Sequence, residues 1–66
     1  MKRYELNWFG SPGVEYEEGH DTIESAEAEA HRVFKVLAEN GRNPGQFTGL
    51  IYEGGKQIRA VFYPSW

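Results

Sequence analysis

Apolar and polar residues alternate from Lys2 to Phe9, with Tyr4, Leu6 and Trp8 on one side and Arg3, Glu5 and Asn7 on the other. That period of two predicts a half-buried strand. Gly10-Ser11-Pro12-Gly13 is a dense turn signal, and Val14-Glu15-Tyr16-Glu17 alternates again, which predicts a hairpin closed by a four-residue loop. Glu17-Glu18-Gly19 reads equally well as irregular chain, so both ββαββ and βαββ orders are open. From Ile23 the period lengthens: Ile23, Ala26, Ala30, Val33, Phe34 and Leu37 recur at helical spacing and form a single stripe. Asp21 with Glu24 three residues on forms a capping-box pattern, and Asn40-Gly41 followed by Pro44 supplies the stop. A helix from Thr22 to Asn40 is then about 28 Å long, enough to cover one face of a small sheet.

Two more alternating runs, Phe47 to Glu53 and Lys56 to Tyr63, flank Gly54-Gly55, the pattern of a two-residue hairpin whose turn needs positive φ. A regular register pairs Glu53 with Lys56, Ile51 with Ile58, Gly49 with Ala60 and Phe47 with Phe62. The core face then carries Phe47, Gly49, Ile51, Ile58, Ala60 and Phe62, with the small Gly49/Ala60 pair leaving room for the helix. Leu50, Tyr52, Val61 and Tyr63 fall on the opposite face, too apolar for a plain wet surface. They call for a partner, a second copy, or cover from the tail Pro64-Ser65-Trp66. The expected architecture is a small α+β domain, an antiparallel sheet with one amphipathic helix packed on one face.

Length and composition narrow the function classes. A chain of 66 residues is one domain, residues 1–66, with little room for a deep enzyme pocket. Its 39% apolar and 26% charged residues fit an ordered globular chain, and 15% aromatic is generous for the size. The absence of Cys excludes disulfides and thiolate metal sites and favours a cytoplasmic setting. No apolar run approaches the roughly 20 residues that span a bilayer, so no membrane partner is expected.

The net charge of −3 conceals a polarity, since residues 1–31 sum to −6 and residues 32–66 to +3. Seven of the acids, Glu15, Glu17, Glu18, Asp21, Glu24, Glu27 and Glu29, fall within Val14–Ala30 with no Lys or Arg among them. For Asp21, Glu24 and Glu27 the positive end of the helix dipole is one reason for an acid, and a functional anionic surface is the alternative. The dipole does not explain Glu15, Glu17, Glu18 and Glu29, and an anionic patch of this kind suits a basic partner. On a helical wheel the carboxylates do not converge, so no metal is expected. His20 and His31 are the candidate general bases. The di-iron spacing from His31 falls on Ala28, and the His20-Asp21 pair lacks the further ligands of a metal-dependent phosphohydrolase. Neither glycine-rich turn matches a phosphate-cradling loop. Tyr52, Arg59 and Tyr63 fit a protein interface better than stacked RNA bases.

In its size, its base-free stretch from Tyr4 to His31 and its surplus of aromatics, the chain resembles the small acidic anti-CRISPR and anti-restriction proteins that phages and mobile elements use against host defence. The resemblance implies a non-enzymatic, cofactor-free inhibitor that binds a host protein complex rather than nucleic acid itself. Its acidic surface, Glu15, Glu17, Glu18, Asp21, Glu24, Glu27 and Glu29, would stand in for DNA phosphates in a basic nucleic-acid-binding groove. Tyr16, Tyr52 and Tyr63 are the aromatic anchors expected beside it. The basic half of the chain departs from a fully acidic DNA mimic and confines any mimicry to one region. The alternative is a self-associating structural or regulatory domain that homodimerises through the open aromatic face of its sheet. Monomer and homodimer both remain open, and a small hydrolase or nuclease using His20 or His31 is a third class.

Overall fold

A computed structural model describes residues 2–63, so the tail Pro64-Ser65-Trp66 lies outside the described residues. The element order is β1 (Tyr4–Phe9), β2 (Gly19–His20), α1 (Ile23–Glu39), a 3₁₀ turn (Pro44–Gln46), β3 (Thr48–Glu53) and β4 (Lys56–Phe62). The strands form one antiparallel sheet in the order β2-β1-β3-β4, with α1 packed across one face. This is the expected α+β architecture with β1 at the centre, where its alternation places Leu6 fully in the core.

The helix buries the stripe read from its spacing: Ala26, Ala30, Val33, Phe34 and Leu37 are buried and Ile23 is partly so. Its cap is Thr22, not Asp21. Thr22 has extended backbone (φ −135°, ψ 158°) and its Oγ1 accepts a hydrogen bond from the Ser25 N–H at 3.0 Å. The helix therefore starts one residue later than the Asp21/Glu24 pattern implies, and Asp21 instead sits 3.5 Å from Lys2 Nζ. Gly41 closes the other end at φ 75°, where the Gly41 and Arg42 N–H groups bond to the carbonyls of Ala38 and Leu37.

Two expectations about the strands fail as well. Val14–Glu17 is not a strand. After Phe9 the chain makes a long excursion and rejoins the sheet only at Gly19–His20, opposite Glu5 and Tyr4. The β3–β4 hairpin turns at Gly54 and Gly55 as expected (φ 60° and 82°), but a bulge at Ile58 shifts the register by one residue. Ile51 faces Arg59, Leu50 faces Ala60, Gly49 faces Val61 and Thr48 faces Phe62. The extra residue exchanges the two sides of β4 beyond it, so that Val61 enters the core while Ile58 and Phe62 stand 39% and 67% exposed. Beyond Arg59 both alternations are apolar, Ala60 and Phe62 on one and Val61 and Tyr63 on the other, so a slip there meets little resistance from the pattern. The observed one lets Arg59 reach the helix, with Nη1 2.8 Å from Glu27 Oε2.

Candidate partner-binding surface

Residues 10–18 connect β1 to β2 without strand pairing, yet side chains from the rest of the domain hold this loop along its length. At its start Pro12 is buried, and its carbonyl accepts a hydrogen bond from Arg42, whose guanidinium also lies 5.2 Å from the Phe47 ring centre. Midway, Tyr16 packs edge-on against Trp8 with ring centres 6.1 Å apart, and Trp8 in turn meets Phe34 at 5.3 Å. Burial first, and the Glu18 charge second, raise the Tyr16 hydroxyl above its ordinary value, so it stays neutral.

The acidic part, Glu15 to Glu18, is anchored most closely. Arg32 Nη2 donates to the Glu15 carbonyl at 3.0 Å. The Glu17 N–H donates to Glu29 Oε2 at 2.8 Å, and the Glu17 carbonyl accepts from His20 Nε2 at 2.8 Å. The Glu18 carbonyl accepts from the Leu6 N–H at 2.7 Å. Both main-chain polar groups of Glu17 are thus satisfied by side chains, which lets an irregular segment hold one shape.

The anchors are themselves fixed. Glu29 takes a two-pronged bond from Arg32, one turn further along α1, at 2.8 Å and 2.7 Å. The Arg32 bond, reinforced by the Glu17 N–H, holds the Glu29 carboxyl below its ordinary value near 4.5 against the opposing effect of burial. His20 is 4% exposed, and its Nδ1 lies 2.8 Å from Ser25 Oγ. Because Nε2 faces a carbonyl it carries the proton, so in the neutral ring Nδ1 accepts from the Ser25 hydroxyl. No ring nitrogen is left free for a reacting group. His31 is exposed on α1 with its ring 6.0 Å from Phe34.

The seven carboxylates divide by partner. Asp21 meets Lys2, Glu27 meets Arg59 and Glu29 meets Arg32. Glu15, Glu17, Glu18 and Glu24 are exposed and form no direct ion pair among the described residues, although the charges of Glu17 and Glu24 act on nearby Arg32 and Arg59. The base-free stretch is therefore not uncompensated in space, and Glu29, expected as presented charge, is an internal strut. Of the expected aromatic anchors, Tyr16 belongs to this region. Tyr52 is half-buried on the far side of the sheet, and Tyr63 packs on Phe34 at 5.6 Å, on the helix side and not on the open face. Sequence reading missed Arg32, although its three-residue spacing from Glu29 signals a helical ion pair. It had no access to the contact between His20 and Ser25, which depends on how β2 meets the helix.

Among the described residues no group of three or more His, Asp or Glu is placed to hold a metal ion, and no helix is long and apolar enough to cross a membrane. Compared with known proteins, the chain matches no family model, no curated protein and no solved structure.

Depression of the Glu29 pKa makes a prediction about stability. A carboxylate whose pKa is lower folded than unfolded stabilises the fold fully above the unfolded value and loses that contribution as pH falls through the folded one. Stability should thus decline as pH drops below about 4.5, and Glu29→Gln should flatten that part of the profile. Urea midpoints measured across this range for both proteins check it; parallel profiles would contradict the assignment.

Proposed function

We propose that this protein acts by binding and not by catalysis, presenting the anchored Glu15–Glu18 loop to the basic, nucleic-acid-binding groove of a host protein complex. The observation that carries this reading is the division of labour within the loop. Its backbone is tied to Arg32, Glu29, His20 and Leu6, while the side chains of Glu15, Glu17 and Glu18 stay exposed and form no ion pair among the described residues. Fixing a loop before it binds lowers the ordering cost of association, and carboxylates held in place raise the encounter rate with a cationic surface. Carboxylates so placed compete with phosphates for the same basic groups, the mode of action expected of the phage and mobile-element inhibitors that the chain resembles.

The test uses a panel of purified DNA-binding host-defence complexes, each loaded with labelled DNA. The protein should displace DNA from at least one of them, less effectively as salt rises. The variant carrying Glu15→Lys, Glu17→Lys and Glu18→Lys should displace it at least about 100-fold less well, since several like charges would then face the groove. Equal displacement by the reversed variant, or no displacement by the wild type anywhere in the panel, would overturn the reading.

A further inference from the structure

The sheet face opposite α1 carries a pattern that the acidic loop does not use. Strand register places its residues in rows: Phe9-Thr48-Phe62, then Asn7-Leu50-Ala60, then Glu5-Tyr52-Gln57. In the first row two phenyl rings, 71% and 67% exposed, stand on either side of the small Thr48. Strands two places apart in a sheet are separated by about 10 Å, so the two rings flank a slot of that width. A third aromatic ring in the slot would lie about 5 Å from each, within the spacing that aromatic pairs prefer.

A second copy of the chain supplies such a ring and receives one in return. If two sheets face each other across a two-fold axis, Phe62 of each copy enters the other's slot, and four rings interleave in the order Phe9, Phe62, Phe62, Phe9, alternately from the two copies. Each contact is then made twice, as an isologous interface requires. Charge favours this occupant over an acidic or basic one. Lys2, Arg3, Glu5 and Glu18 border this face at its Tyr52 end, two of each sign, so the face is close to neutral although the chain carries −3. Glu15 and Glu17 of the acidic loop are tied to the opposite, helix side through Arg32 and Glu29, and Glu18 lies beside Glu5 at the β2 edge, the far edge of the sheet from Phe62. Face-to-face stacking therefore buries apolar surface without bringing the acidic loops together. Open-edge pairing through β4 is a poorer route, because the bulge at Ile58 and the charges of Lys56 and Arg59 blunt that edge.

We propose that the protein forms a two-fold homodimer by stacking the open faces of its sheets, with Phe62 of each copy seated between Phe9 and Phe62 of the other. The acidic loops then lie on the two outer sides, so the dimer is bivalent for the partner. The dimer itself does not depend on the loop's function; its bivalency rests on the function proposed above.

Sedimentation equilibrium of the full chain should show a species of twice 7.6 kDa at tens of micromolar, dissociating on dilution. Phe62→Ser and Leu50→Asp should each raise the dimer dissociation constant at least tenfold while far-UV circular dichroism stays unchanged. Isotope-filtered NOEs in a mixed labelled sample of the wild type need no substitution, and should connect Phe9 and Phe62 rings of different copies. A monomer at about 100 μM would overturn the proposal, including one in which the chain's own Trp66 shows NOEs to Phe62. So would a dimer whose intermolecular NOEs lie elsewhere, or one that folded variants leave intact.

Discussion

Phe34→Ala should leave the domain largely unfolded at room temperature, or lower its melting temperature by at least about 15 °C. Phe34 is 1% exposed and, among the described residues, is the largest side chain buried so completely. Its ring makes edge contacts with Trp8 at 5.3 Å, with Tyr63 at 5.6 Å and with His31 at 6.0 Å. It therefore joins the helix, the central strand, the end of β4 and, through Trp8, the Tyr16 side of the loop. Truncating a buried Phe costs about 3–5 kcal/mol. A domain of this size has roughly 3–10 kcal/mol of total stability, so the loss takes much or all of it. Phe34→Leu, which keeps most of the volume, should cost only about 1–2 kcal/mol. Thermal melts followed by far-UV circular dichroism check both. A Phe34→Ala protein within about 1 kcal/mol of wild type would show that the core does not depend on this ring.

Gly49→Val should destabilise the domain by about 3 kcal/mol, and Gly49→Ala by about 1 kcal/mol. Gly49 is buried in β3, beneath α1, and a Cβ built there would lie 3.2 Å from Ala30 Cβ, 3.4 Å from Val61 Cβ and 3.6 Å from Leu6 Cδ1. Its backbone is ordinary, so the requirement is for space and not for an unusual φ. Two of the three neighbours are Cβ atoms fixed to a helix and a strand, and such atoms move only if the backbone moves. A methyl group can be accommodated by a shift of a few tenths of an ångström, whereas the branched Val side chain forces the helix off the sheet. Adding Ala30→Gly to Gly49→Ala restores the room at the cost of about 1 kcal/mol in helix propensity. The double variant should therefore be more stable than the sum of its single changes. Urea unfolding of the four proteins measures this coupling, and strict additivity would show that Gly49 and Ala30 do not share the space.

How much was readable from the chain differs element by element. The helix stripe, β1 and the Gly54-Gly55 turn were legible because each rests on periodicity or on a backbone angle that few residues tolerate. Gly49 was legible as a small residue on the core face, although a regular hairpin register pairs it with Ala60 and the bulge pairs it with Val61. The bulge at Ile58 was not legible. Ile58, Ala60 and Phe62 form one apolar alternation, Val61 and Tyr63 the other, and a one-residue slip exchanges them with little change in pattern. That slip sent Val61 and Tyr63 to the helix and left Phe62 on the open face, which moved the candidate self-association surface to a different set of side chains.

The acidic stretch shows the same boundary between local and long-range information. By itself the sequence determined that seven carboxylates are concentrated between Val14 and Ala30, that a helix begins within that stretch, and that an α+β domain follows from the periodicities on either side. These are local properties, set by charge and by the spacing of apolar residues. Only the tertiary structure decided which carboxylates are presented and which are used internally. Glu27 and Glu29 differ in their partners because Arg59 arrives from a strand 32 residues away, while Arg32 sits one turn along the same helix and reaches across to the Glu15 carbonyl. Glu15, Glu17 and Glu18 project from a fixed loop because His20, Glu29 and Leu6 hold its backbone. Contacts between segments distant in sequence depend on strand register and helix position, which are settled when the core packs.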